Sequence, residues 1–167
     1  MANSNSHIIL DPVTFEEKRI GNQTECALLE FVNRSLIKLD RSERNYEEIK
    51  LNQKILKTFP FNSDTKKMTV AVEIEHDKTV RLYVKGASEN IIDDCIMYLN
   101  NKELLDLSQS SQKERLKETV LKQMAQGALR TIAMGYKDIT YEEFRSIMKN
   151  LEGSQSQQTE DEEEAKQ

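Results

Sequence analysis

Two stretches decide the fold: Met68-Thr-Val-Ala-Val-Glu-Ile74 and Val80-Arg-Leu-Tyr-Val-Lys-Gly86. In the first, Met68, Val70, Val72 and Ile74 alternate with Thr69, Ala71 and Glu73. In the second, Val80, Leu82 and Val84 alternate with Arg81, Tyr83 and Lys85. A period of two predicts half-buried strands. The short polar connection from Glu75 to Thr79 makes the pair an antiparallel hairpin. Lys85 then shares a face with Arg81 and Tyr83, away from the apolar set.

On either side the pattern changes. Upstream, Ile55 to Phe61 reads as a strand that Pro60 confines to an edge or a bulge, because proline donates no ladder hydrogen bond. Further back, Leu28, Val32, Leu36 and Leu39 form a helical stripe over 24–39 with Leu29 beside it, and Ser42 to Leu51 reads as a shorter helix. Downstream of Gly86 the period becomes 3.6. Ile91, Ile92, Cys95, Ile96 and Leu99 line one side of a helix starting near Ser88. A second helix covers Gln109 to Gln126, with Leu116, Val120, Leu121 and Met124 inward. A strand over 129–136 and a helix from Tyr141 to about Leu151 follow. Hairpin strands interleaved with helices predict an α+β domain, an antiparallel or mixed sheet flanked by helices.

With 167 residues, 37% hydrophobic and 32% charged, the chain has the material for one polar globular domain. We place that domain at 1–152 and read 153–167 as a disordered acidic tail or linker. The tail carries Glu160, Asp161, Glu162, Glu163 and Glu164 against Lys166, so nearly all of the net charge of −5 resides there. The remaining body is close to neutral and has no basic stripe of the kind that binds nucleic acid. No apolar run approaches the roughly 18 residues of a membrane span, and the polar start lacks the regions of a signal peptide. Cys26 and Cys95 lie in apolar helical patterns and read as small buried hydrophobes.

The five glycines, at 21, 86, 127, 135 and 153, build neither a Walker A loop nor a dinucleotide fingerprint. His7 and His76 have no partner spacing for zinc or a catalytic triad. On residue chemistry alone the sequence describes an α+β binding domain without a self-sufficient active site.

Four separated segments add to that reading: Ile20-Gly-Asn-Gln-Thr-Glu-Cys-Ala-Leu-Leu29, Phe59-Pro-Phe-Asn-Ser-Asp-Thr-Lys-Lys-Met68, Tyr83-Val-Lys-Gly-Ala-Ser-Glu89 and Ala128-Leu-Arg-Thr-Ile-Ala133. In this order and spacing they resemble the nucleotide-binding domain of P-type ATPases, most of all the plasma-membrane-type calcium pumps. The resemblance implies that ATP is bound here, as Mg-ATP in the parent pump. It also implies transfer of the γ-phosphate to an aspartate in a separate domain.

By that resemblance Phe61 stacks on adenine, Glu25 faces its exocyclic amine, and Lys66, Lys85 and Arg130 serve the phosphates. Gly86 lets backbone and nucleotide approach closely. Each has a plainer reading: Phe61 as a core side chain, Glu25 closing a capping box with Asn22, Gly86 as a turn glycine, and Arg130 as a surface residue. Lys67 reads as surface. Ser63 and Gly127-Ala128 depart from the residues usual in related pumps. The phosphorylated Asp-Lys-Thr-Gly-Thr segment is absent from the chain, so no catalytic residue and no metal ligand is expected within it. The implied partners are ATP and the phosphorylation and actuator domains of the pump, at the cytoplasmic face of a membrane that this domain does not itself touch. In isolation a monomer is expected. The alternatives are a non-catalytic interaction domain with an acidic tail, or the same domain from a different cation branch.

Overall fold

A computed structural model describes residues 6–38, 46–74 and 78–164. The chain opens with a hairpin of β1 (His7–Leu10) and β2 (Glu17–Ile20), followed by α1 (Gln23–Lys38) and α2 (Tyr46–Leu51). Then come β3 (Ile55–Asn62), β4 (Lys67–Ile74) and β5 (Thr79–Ala87), α3 (Ser88–Asp94), and a second small hairpin of β6 (Met97–Asn100) and β7 (Glu103–Asp106). One long helical stretch, α4 (Ser110–Leu116), a π-helical turn (Lys117–Leu121) and α5 (Lys122–Gln126), leads to β8 (Ile132–Thr140) and α6 (Tyr141–Glu164). The main sheet has the order β3-β4-β5-β8, antiparallel throughout. The fold is therefore α+β, with antiparallel sheets flanked by helices.

Pairing in the centre of this sheet sets Met68 against Lys85, Val70 against Tyr83 and Val72 against Arg81. Lys85, Tyr83 and Arg81 in turn oppose Met134, Tyr136 and Asp138. These residues occupy one face. The other carries Ala71 opposite Leu82, and Val80 opposite Ile139. The apolar sets of β4 and β5 thus point to opposite sides, and both sides are buried: Val70 and Val72 on one, Ala71 and Val80 on the other. Lys85 shares a face with Arg81 and Tyr83, away from Val80, Leu82 and Val84, as expected; Met68 stands across from it, so this face also buries Met68, Val70 and Val72.

Helices account for the burial of the second face. On the second face Ala71, Val80 and Ile139 cluster with Tyr141 and Phe144 of α6. Ile91 of α3 and Cys95 pack beside Gly135 of β8 on the same side. The start of α6 is fixed by a capping box, in which Thr140 N–H donates to Glu143 at 2.7 Å and Glu143 N–H to the Thr140 hydroxyl at 3.2 Å. The first face is spanned at one end by α1, through an ion pair described below.

β3 is an edge strand, as Pro60 required, and its pairing with β4 is irregular between Phe59 and Asn62. Several other expectations change. Helix α3 ends at Asp94, because Cys95 turns extended (φ −76°, ψ 141°) and the chain enters β6. The β6–β7 reversal places Asn101 and Lys102 at positive φ, the geometry of a two-residue hairpin turn. Ile96 and Leu99 are therefore exposed rather than on a helix face. Within 110–126 Val120 and Met124 are also exposed; Lys117 ties the helix down by its 2.7 Å pair with Asp93. The strand expected at 129–136 begins at Ile132. The last helix runs past Leu151, and its backbone stays helical to Glu164, across most of the segment read as a tail. Of the expected elements, Leu39 and 42–45 lie outside the described residues.

Candidate functional site

At the end of the main sheet where Lys67, Gly86 and Ala133 stand in one row, a cavity of about 450 Å³ opens between the sheet and the start of α1. Glu25, Phe61, Lys66, Lys85, Gly86 and Arg130 all line it. Its remaining lining, Leu28 and Met68 among it, comes from the same four segments. A smaller depression of about 260 Å³ beside α2 is lined by Glu48, Ile49, Asn52 and Gln53, without a cation or an aromatic ring.

Each wall has a local cause. The α1 wall begins at Asn22, whose side-chain oxygen accepts the N–H groups of Thr24 (2.9 Å) and Glu25 (3.4 Å) and so caps the helix. This is one half of the expected capping box. The other half is missing, because the Glu25 carboxylate points elsewhere. Its Oε1 accepts from Lys85 Nζ at 2.6 Å and its Oε2 from the Ser6 hydroxyl at 2.9 Å. Both partners of the ion pair are largely covered, with side-chain exposures of 13% for Lys85 and 19% for Glu25.

The β3–β4 wall is a tight turn. The Asn62 side chain accepts the N–H groups of Asp64 and Thr65, and the Asn62 carbonyl accepts that of Lys66 at 2.7 Å. Lys66 sits at φ 55°, and its carbonyl accepts the Ala87 N–H at 3.1 Å. That bond brings the turn against Gly86 so closely that a Cβ there would lie 2.2 Å from the Lys66 oxygen. Gly86 is needed for this close approach. The bulge after Phe59 lets Phe61 stand free at the cavity rim, 61% exposed, which sets aside its reading as a core side chain. Lys67 is outside the lining and pairs with Asp94.

The fourth wall follows α5. Leu129 N–H donates to the Met124 carbonyl at 3.0 Å and Ala128 N–H to that of Ala125 at 2.9 Å, a Schellman closure with Ala128 at φ 55°. It delivers Arg130, exposed, to the cavity. Beyond the cavity on the same face Arg81 lies over the Tyr136 ring at 4.6 Å and pairs with Asp138 through two bonds of 2.6 and 2.8 Å. That hydrogen bonding holds the Asp138 carboxyl below the usual carboxylate range.

Chemically the cavity combines an apolar floor, one free aromatic face and three cations against a single carboxylate. A volume of 450 Å³ lies within the range of small-molecule sites. Among the described residues no group of three or more His, Cys, Asp or Glu is placed to hold a metal ion, and no helix is long and apolar enough to cross a membrane. Ser6 escaped the sequence reading; Asn22 and Glu25, which it binds, lie 16 and 19 residues away, and no local pattern marks it.

The antiparallel sheet and the four convergent segments define a P-type ATPase domain, and the chain belongs to that family: residues 1–167 match the family described as P-type ATPase, cytoplasmic domain N. Its relatives are calcium pumps. Calcium-transporting ATPase PAT1 of Dictyostelium discoideum is 37% identical over 124 residues, 74% of this chain and 10% of the relative. Plasma membrane calcium-transporting ATPase 3 of Homo sapiens is 32% identical over 123 residues, again 74% of this chain and 10% of the relative. Plasma membrane calcium-transporting ATPase 2 of Oreochromis mossambicus is 32% identical over 123 residues, 74% of this chain and 11% of the relative. The chain thus spans about a tenth of the length of the curated relatives it matches.

Proposed function

We propose that this chain is the ATP-binding domain of a P-type calcium-transporting ATPase, holding ATP so that its γ-phosphate reaches an aspartate in a separate phosphorylation domain. The observation that carries this reading is the convergence of Glu25, Phe61, Lys66, Lys85, Gly86 and Arg130, from four distant segments, on one cavity. Phe61 offers a ring face for the adenine, over a floor that includes Leu28 and Met68. Glu25, which also binds Lys85 and Ser6, accepts from the exocyclic amine. Lys66 and Arg130 are exposed and meet the phosphates, Arg130 with a planar fork suited to phosphate oxygens. Gly86, whose missing Cβ admits the Lys66 turn, sets that turn beside the path of the triphosphate. In the parent pump the nucleotide arrives with magnesium, and the actuator domain completes the cycle.

By itself the domain binds ATP and does not consume it, because the accepting aspartate segment is not in the chain. One stacked base and a few solvated cations must overcome the cost of association, so the Kd is expected near 1 mM, about −4 kcal/mol. The test is a titration of the isotope-labelled domain with ATP, followed by NMR. Saturable shifts clustered at Glu25, Phe61, Lys85 and Arg130, weakened about tenfold by Phe61→Ala, support the reading, since stacking on an aromatic contributes roughly 1–3 kcal/mol. A folded sample whose spectrum does not respond to several millimolar ATP refutes it.

A further inference from the structure

We propose that Asp93, at the end of α3, is a positioning residue for Arg130: it seats the helical stretch whose closure aims that guanidinium into the cavity. The inference rests on the ATP-binding reading above.

The two helical segments that meet at Asp93 are held very differently. Helix α3 is anchored, with Ser88, Ile91 and Ile92 buried. The stretch of α4, the π-helical turn and α5 buries none of its residues, and every residue from Lys122 to Arg130 is exposed. Apolar packing therefore does little to fix the direction of α5. What grips the stretch is a pair of lysines one helical turn apart, on a shared face. Lys117 Nζ lies 2.7 Å from Asp93 Oδ1, and Lys113 Nζ donates to the Asp93 carbonyl at 2.5 Å. That carbonyl is among the last of α3, which have no partner within the helix, and cations there meet the negative end of its dipole.

The grip sits at a sensitive place. Lys117 is the first residue of the π-helical turn, and such a turn is where a helix can change direction. Fixing Lys117 therefore fixes the line on which α5 leaves. At the far end of α5 the N–H groups of Ala128 and Leu129 close on its carbonyls, and Ile132 then joins the sheet opposite Ala87. Arg130 stands between these two points. The sheet sets where its backbone lies, and α5 sets the direction in which it is presented. Asp94, the next residue of α3, pairs with Lys67 beside Lys66, so the end of α3 is tied to both cationic walls of the cavity.

Charge alone predicts the opposite result from positioning. Loss of a carboxylate near a site for a polyanion strengthens binding through the field, whereas loss of the seat for the Arg130 helix weakens it.

The experiment measures Kd for ATP by NMR titration of the wild-type domain, Asp93→Ala, Asp93→Glu, Arg130→Ala and the double variant Asp93→Ala with Arg130→Ala, each first shown to be folded by its amide spectrum. Arg130→Ala is expected to weaken ATP about tenfold, the low end for a hydrogen bond to a charged group. Asp93→Ala is expected to weaken it about threefold, the scale of a partly exposed ion pair, while Asp93→Glu, which keeps the carboxylate, stays within about 1.5-fold of wild type. In the Arg130→Ala background the loss of Asp93 is expected to change Kd by less than about 1.5-fold, because the two residues act as one unit. Should Asp93→Ala fail to fold, Lys117→Gln in the same cycle is expected to give the same pattern. An Asp93→Ala domain that binds ATP as well as or better than wild type overturns the proposal. An equal loss with and without Arg130 also overturns it, since that is a general loosening of the fold. Wild-type affinity in Arg130→Ala overturns it while leaving the ATP-binding reading intact. No response of wild type to several millimolar ATP overturns that reading and this inference with it.

Discussion

Gly86→Ala tests the geometry of the cavity most directly. A Cβ at this position would lie 2.2 Å from the Lys66 carbonyl oxygen and 3.1 Å from the Lys67 Cα, both backbone atoms. Relief even to the shortest tolerated contact, near 3 Å, requires a displacement of roughly 0.8 Å. The turn has little freedom to supply it: the Asn62 side chain binds two of its N–H groups, the Asn62 carbonyl a third, and the Lys66 oxygen itself holds the Ala87 N–H. Overpacking against fixed backbone costs about 1–3 kcal/mol. For a domain of this size that lowers Tm by roughly 2–12 °C, at 2–4 °C per kcal/mol. Thermal denaturation gives the first number, and amide shifts give the second: changes should concentrate at 62–67 and 85–87. A variant with a Tm within 1 °C of wild type and undisturbed signals from the Asn62–Lys67 turn would refute the reasoning.

Two other substitutions probe the frame around the site. Ala128 holds φ 55° in the reversal that delivers Arg130; glycine adopts this conformation without the steric cost of about 1–2 kcal/mol, partly offset by its looser unfolded chain. Ala128→Gly should raise Tm by about 1–4 °C, and a lower Tm would contradict the Schellman assignment. Asp138→Asn removes a carboxylate whose folded-state pKa is depressed by its bonds to Arg81. Its stabilisation is present above the unfolded carboxylate range, near pH 4, and fades as pH falls through the lower folded value. With Asp138 41% exposed, the difference between wild type and variant should be no more than about 1 kcal/mol at neutral pH and should shrink on acidification. A difference that grows below pH 4 would show that the pair is not what Asp138 contributes.

The elements that were legible are those with long, regular signals. The β4–β5 hairpin announced itself through alternation, β3 through Pro60 at an edge, and α1 through its apolar stripe. All six expected site residues meet because they flank the ends of these elements. What stayed hidden depended on backbone geometry or distant partners. Ile91, Ile92, Cys95, Ile96 and Leu99 keep a helical spacing, yet the helix stops after Asp94 because a two-residue turn at Asn101 and Lys102 recruits 97–100 into a hairpin. In β2, Glu17-Lys-Arg-Ile20 is exposed throughout and carries no alternation; the β1–β2 reversal is set by Asp11, which caps Val13 and Thr14. Alternation places Lys85 on the face of Arg81 and Tyr83, as found, but does not reveal that the apolar set of β4 is buried on that same face.

The row that joins Lys67, Gly86 and Ala133 has a consequence for how this domain tolerates insertion and deletion. Gain or loss of one residue within β5 would turn Lys85 toward α3 and present an apolar neighbour to the cavity. A change of two would restore the face but carry the lysine about 7 Å along the strand, out of reach of Glu25. The middle of this strand is therefore closed to length variation of either parity, whereas the tip at Asn101 is free to grow. Differences in length between this chain and its relatives should accumulate at that tip and spare the segment 79–87.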